Sequence, residues 1–272
     1  SIGIQVLWNR YTSLLYGGTV FTFTLVTSVV LLGICLGSYW VQRKLKSAIN
    51  HEKDLVLLLI CSAITILLGS HIFASSGLTV LFWHQYFDTT NFIFTILQFT
   101  LILACLLPGA TLLGCLFPYA LSLFLKDKND GSDKVAICYA LNIGGIVIGS
   151  ILVTFVIIPI SGIEGLKNIL PLLLILVTVP YSRLARQSWI NTLGLFTIGF
   201  LLVYIIPSVE KEVLTQGYFY NRIKKQTSKE LEKRGYTDWK SYYKSKRNKL
   251  LDYKDEIHAT ISIHSYYNRK DR

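Results

Sequence analysis

Residues 19–39 read TVFTFTLVTSVVLLGICLGSY, a stretch of 21 residues without a charged side chain. A helix of about 20 apolar residues is long enough to cross a hydrocarbon core of about 30 Å. Helices suit lipid because they satisfy their own backbone hydrogen bonds. Similar stretches follow at 55–74, 91–116, 135–160, 167–182 and 187–207. The sequence therefore predicts an all-α polytopic membrane bundle of about six spans over residues 1–207.

Two segments complicate this count. Residues 1–16 have the character of the end of an earlier, truncated span, and we expect Trp8 and Arg10 to anchor it at the lipid head-group level. Apolar character then persists over residues 91–125, too long for one perpendicular helix. Pro108 lies in its middle and is expected to break or kink it. We favour one long, tilted, kinked helix over a span followed by a re-entrant or interfacial piece.

Basic residues in short loops predict the orientation. Loops 75–90 and 161–166 contain no Lys or Arg, whereas loops 40–53, 126–134 and 181–186 contain nine. Lys and Arg accumulate on the cytoplasmic side, so we expect the basic loops to face the cytoplasm, at a bacterial or archaeal plasma membrane. With six spans, residues 208–272 then lie on the opposite side. If residues 91–125 cross the membrane twice, residues 208–272 lie on the cytoplasmic side instead.

Small residues are spaced for helix packing in two spans. Gly33 and Gly37 in the first span, and Gly145 and Gly149 in the fourth, are each four residues apart. Such pairs let helix backbones approach closely in lipid, and a substrate path is the alternative function. If packing is their role, Gly145→Leu should push helices apart, whereas Cys138→Ser should not.

Polar and ionisable groups are sparse in the spans. Asn142, with Tyr139 nearby, is a possible polar membrane site, although we favour an interhelical hydrogen bond over a ligand. Glu164 is assigned to a loop, and no span is expected to bury an ionisable group well. This weakens an ion-coupled transporter interpretation, since such proteins keep ionisable groups in the membrane. The five cysteines form no CxxC pair and are interpreted as small packing residues.

The last 65 residues have a different composition. Of 27 Lys and Arg, 16 lie at 208–272 together with 9 of the 16 acids, so this tail contributes +7 of the net charge of +11. We expect contact with anionic lipid head groups and not with nucleic acid. Residues 221–250 are predicted to be helical. Residues 257–264 alternate apolar and polar side chains, which predicts one isolated β-strand without its partners.

Several motifs together resemble the multi-pass membrane proteins that are fused to a spermidine synthase-like domain. Their order and spacing along the chain carry the resemblance more than any single motif does. The tail departs from the pattern with an inserted region near 225–250 and with Glu256 in place of a glycine. The motifs are WNRYTS at 8–13, GGTVF at 17–21, LGICLGS at 32–38, LPGATLLGCLFP at 107–118, YALNIGG at 139–145 with Gly149, Ser150, Pro159 and Gly162, LTQGY at 214–218 and YKDEIHATISI at 253–263.

The resemblance implies a membrane half that anchors or serves a downstream aminopropyltransferase-like domain, whose first strand would begin at 252–264. Such a domain would transfer an aminopropyl group from decarboxylated S-adenosylmethionine to a polyamine. Its Gly-rich cofactor turn and acidic residues are not in residues 1–272. We therefore predict no catalytic, cofactor-binding or metal-binding residue here, and a chain that is inactive alone. A stand-alone small-solute or polyamine transporter, and a structural membrane partner, remain the alternatives.

Overall fold

The structure is a computed structural model that describes most of the membrane part and a small piece of the tail. The described residues form six α-helices, one π-helical turn and two strands. In chain order these are α1 (Ile2–Tyr16), α2 (Val20–Lys44), α3 (His51–Ser75), α4 (Phe92–Phe124), α5 (Gly131–Leu152), the π-helical turn (Val153–Ile157), α6 (Ile158–Leu184), β1 (Asn248–Asp255) and β2 (Thr260–Tyr266). The described residues are 2–18, 20–44, 51–77, 92–125, 131–184, 248–255 and 260–266, with isolated positions between 194 and 214.

Within these residues, four helical segments are long and apolar enough to cross a membrane: Val20–Lys44, Asp54–Ser75, Thr95–Phe124 and Ser132–Pro180. The protein is therefore helical and suited to a lipid bilayer. The last segment has 49 residues and combines the predicted fourth and fifth spans. Most of the predicted sixth span, 187–207, lies outside the described residues.

Helix α4 decides between the two alternatives for residues 91–125. It is one helix of 33 residues that contains both Pro108 and Pro118, which is the alternative favoured from the sequence, and Pro108 does not break it. At about 1.5 Å per residue it is about 50 Å long, which suits a single tilted crossing. Prolines persist inside membrane helices because neighbouring groups compensate for the lost backbone hydrogen bond.

Helix α1 lies in the centre of the bundle. Leu7, Trp8, Tyr11 and Leu15 have at most 1% of their surface exposed. The Trp8 indole nitrogen donates to the Ser70 hydroxyl at 2.9 Å. The expected head-group anchoring by Trp8 is therefore wrong. The tryptophan is a core residue because α3 supplies a buried acceptor for its one polar atom.

The tail forms a two-stranded antiparallel hairpin. β1 pairs with β2 from Asn248 opposite Tyr266 to Asp255 opposite Thr260. The second strand overlaps the predicted strand at 257–264, but the prediction of an isolated strand is wrong. β1 reads NKLLDYKD. This sequence lacks apolar–polar alternation, and its first residues overlap the predicted helical region 221–250. Residues 221–247 of that region lie outside the described residues.

Candidate functional site

The chain breaks its longest helical segment at Gly162. This residue has φ 69° and ψ −176° inside α6, a combination that essentially only glycine adopts. Residues 158–161 therefore end one helical run, and residues 163–184 begin another. The first N–H groups of a helix have no acceptor within that helix, so the break creates donors that need a partner.

Asp255 of the tail hairpin supplies that partner. Its Oδ2 accepts the Ile163 N–H at 2.9 Å, and its Oδ1 accepts the Thr260 hydroxyl at 2.7 Å. Asp255 is buried, and a Cβ added at Gly162 would lie 2.8 Å from Oδ2. A carboxylate at a helix N-terminus is favoured by the free N–H groups and by the helix dipole. The hairpin is thus clamped onto the membrane helices at the break.

A buried ion pair follows directly after the break. The Lys167 Nζ lies 2.8 Å from the Glu164 Oε2, and the Lys167 side chain is only 1% exposed. The Tyr11 hydroxyl donates to the other carboxylate oxygen of Glu164 at 3.0 Å. The expectation that no span buries an ionisable group is wrong here. In the sequence Lys167 lies at the boundary of a predicted span, and the burial that α1 provides cannot be seen in the linear sequence.

His71 of α3 faces the same region. Its Nδ1 atom is buried and has no hydrogen-bond partner among the described residues. The charged side chains of Lys167 and Glu164 lie in the vicinity of its ring. We call Tyr11, His71, Glu164, Lys167 and Asp255 the break-side cluster. It brings donors, acceptors and both signs of charge together where α1, α3, α6 and the hairpin meet.

A second polar group lies at the other end of the bundle, where α2 ends and α3 begins. The Tyr119 hydroxyl donates to Asp54 Oδ2 at 2.9 Å, and Lys44 Nζ lies 3.3 Å from the same oxygen. The Lys44 Nζ also lies 5.2 Å from the centre of the Trp40 ring. This basic end carries the residues typical of a membrane–water interface.

The structure places the predicted packing glycines in two different environments. A Cβ added at Gly33 would overlap Ala110, and one added at Gly37 would overlap the Thr111 carbonyl oxygen. Both glycines thus permit close approach of α2 to α4. Around Gly145 and Gly149, no atom of the described residues lies within 4 Å of an added Cβ. Their predicted packing partner is therefore not found in the described part of the chain.

The other predicted site residues lie apart from the break-side cluster. Tyr139 is 50% exposed, and its ring meets the edge of Phe117 at a centroid distance of 5.0 Å. Asn142 is exposed on α5. The five cysteines are free. Within the described ranges, no group of three or more His, Cys, Asp or Glu could hold a metal ion.

Sequence reasoning missed the break-side cluster because its members are far apart in the chain. Gly162 belongs to the family motif, but Asp255 lies 92 residues after Ile163, and Tyr11 lies 153 residues before Glu164. The available signal was Glu164 and Lys167 spaced i and i+3 after a glycine. Comparisons with protein-family models, with curated proteins and with solved structures find no match, so the family resemblance rests on the sequence motifs alone.

Proposed function

We propose that this chain is the membrane half of a spermidine synthase-like protein, and that it anchors and positions an aminopropyltransferase-like domain. The observation that carries the proposal is the clamp between Asp255 and the break at Gly162. The clamp fixes the start of the resembling segment, 253–263, against the bundle. A tail that served only as a loose linker would have no need of a buried carboxylate contact.

The tail composition supports this role. With a charge of +7 over 65 residues, the tail is attracted to anionic lipid head groups, by about 1 kcal/mol per basic residue near the surface. Lipid attraction and the Asp255 clamp together would hold a following domain close to the membrane. In this proposal the chain itself contributes anchoring and orientation, and the downstream domain contributes cofactor binding and catalysis.

Two preparations test the proposal. Purified residues 1–272 are expected to give no aminopropyl transfer from decarboxylated S-adenosylmethionine to putrescine above a heat-killed control. Membranes that contain the product of the complete reading frame, including any coding sequence beyond Arg272, are expected to give transfer. Turnover by residues 1–272 alone, or the absence of a Gly-rich cofactor turn in the complete frame or its neighbour, would contradict the proposal.

The buried pair of Glu164 and Lys167 favours a second candidate, a carrier for a small solute or a polyamine. Ionisable groups inside a membrane domain are costly and commonly mark transport pathways. Liposomes containing residues 1–272 should then take up labelled putrescine, and Lys167→Met should abolish uptake while Asp54→Asn at the basic end should not. If residues 1–272 give no uptake and the complete protein gives no transfer, the remaining function is that of a structural membrane partner.

A further inference from the structure

The first turn of α6 after its break is held from two sides. The Ile163 N–H donates to Asp255 of the hairpin at 2.9 Å. The next residue, Glu164, accepts from Tyr11 at 3.0 Å and pairs with Lys167 at 2.8 Å. Adjacent residues of one helical turn therefore connect the tail hairpin to the buried helix α1.

We propose that these contacts form one coupled device, in which docking of the tail at Asp255 strengthens the contacts of Glu164 with Tyr11 and Lys167. By reciprocity, weakening the Glu164 contacts inside the bundle loosens the tail. The coupling requires only the geometry of residues 162–167 and does not require the proposed function.

The backbone around the break can move as the device requires. Residues 158–161 lie between two departures from α-helical geometry, the π-helical turn Val153–Ile157 and Gly162. Such irregularities occur where helices bend and at functional sites. Gly162 can change its dihedral angles at little steric cost, so the helical run after it can shift once Asp255 no longer holds it.

Small shifts matter because the Glu164 contacts are short and enclosed. The Tyr11 side chain is fully buried and Lys167 is 1% exposed. Hydrogen bonds weaken steeply when their angle or distance departs from the optimum. In the low dielectric of a buried site, the interaction energy that is lost is larger. Release of the tail is therefore communicated to the bundle interior without a large movement.

The test is a double-mutant cycle on the full chain in detergent, measured as the midpoint of thermal unfolding. Tyr11→Phe removes only the hydroxyl that donates to Glu164. Asp255→Asn removes the charge of the clamp and keeps its shape. We expect Tyr11→Phe to lower the midpoint by about 3–6 °C in the wild-type chain and by less than half as much in the Asp255→Asn chain.

Tyr119→Phe is the matched control. It removes a hydroxyl with a comparable bond, 2.9 Å to Asp54, at the opposite end of the bundle, so its effect should be the same in both backgrounds. Equal effects of Tyr11→Phe in the two backgrounds would overturn the coupling, and so would an equally background-dependent effect of Tyr119→Phe.

Hydrogen exchange at the Ile163 amide measures the clamp directly and is the second readout. Hydrogen exchange at the Ile163 amide should be faster in Tyr11→Phe than in the wild-type chain and unchanged in Tyr119→Phe. If Asp255→Asn does not fold, Thr260→Val takes its place in the cycle, because it removes the other hydrogen bond to the same carboxylate. Unchanged exchange at Ile163 in Tyr11→Phe would exclude coupling to the tail.

Discussion

At Gly162 two physical requirements coincide. The backbone has a positive φ that L side chains rarely adopt, and the space where a Cβ would project is filled by the Asp255 carboxylate. Either requirement alone would favour glycine. Together they explain why a break can occur in a segment that is otherwise apolar enough to continue as a helix.

We expect Gly162→Ala to destabilise the chain by about 1–3 kcal/mol, since it combines backbone strain with a 2.8 Å contact to Asp255. The measurement is thermal unfolding in detergent. Gly144→Ala is the control, because it lies inside a helix and no described atom is within 4 Å of its added Cβ. It should be neutral or slightly stabilising. Equal losses in both variants would argue against a special role for Gly162.

The ion pair after the break gives the second prediction at this scale. Glu164→Gln leaves the Lys167 ammonium buried without a countercharge, and breaking a buried pair in this way costs about 3–5 kcal/mol. Adding Lys167→Met removes this unpaired ammonium group, so the double variant should regain much of the lost stability. The check is the unfolding midpoint of the two variants. A double variant less stable than Glu164→Gln alone would contradict this account.

Among the elements, the crossing of α2 and α4 depends on small residues from both helices. A Cβ added at Gly114 would lie 2.5 Å from the Ile34 Cα, and Gly37 meets the backbone of α4. In lipid, such close backbone approach is a main source of helix association. The spacing of Gly33 and Gly37 in the sequence predicts a close contact, but it does not identify the partner helix.

We expect Gly37→Leu to disrupt the bundle strongly, with loss of folded protein in detergent. The sequence-based expectation for Gly145→Leu is revised, because nothing among the described residues lies within 4 Å of a Cβ added at Gly145. Gly145→Leu and Cys138→Ser should both be tolerated. The measurement is the monodisperse fraction after size-exclusion chromatography. Disruption by Gly145→Leu comparable to that by Gly37→Leu would indicate a partner for α5.

The elements differ in how well the sequence predicts them. Hydropathy alone locates α2, α3 and α4, because a membrane helix needs only length and apolar composition. It does not locate β1, which has no alternation and is fixed by pairing with β2. It also does not locate the clamp, because Asp255 is one acid in a basic tail and only the folded chain brings it to residue 163.

For the whole molecule, the clamp relates the tail to the ends of the bundle. Residues 131–161 run from the start of α5 to the break, so Asp255 contacts the end of the bundle opposite Lys44 and Gly131, which belong to the basic loops 40–53 and 126–134. If those loops face the cytoplasm, the tail lies on the other side. A domain attached to the tail, as proposed above, would then lie on the side opposite a cytoplasmic cofactor.

Single-cysteine labelling in a Cys-free background tests this arrangement. Ser76 is buried, so Thr89 represents loop 75–90, with Lys128 and Ser228 for a basic loop and the tail. We expect a membrane-impermeant reagent added outside intact cells to label Thr89→Cys and Ser228→Cys and to spare Lys128→Cys. Labelling of Thr89→Cys with protection of Ser228→Cys would place the tail in the cytoplasm and contradict the predicted sidedness.

The clamp also depends on an uncut chain. A hydrogen bond to a charged group contributes about 1.5–3 kcal/mol, less than the roughly 4 kcal/mol of a millimolar complex. The contact at Ile163 therefore persists because the tether keeps Asp255 at a high effective concentration. A protease that cleaves between residues 208 and 247 would convert an intramolecular contact into a bimolecular one. The helices would then sediment with the membrane, while the hairpin fragment would be released by dilution at a salt concentration that screens its attraction to anionic lipid.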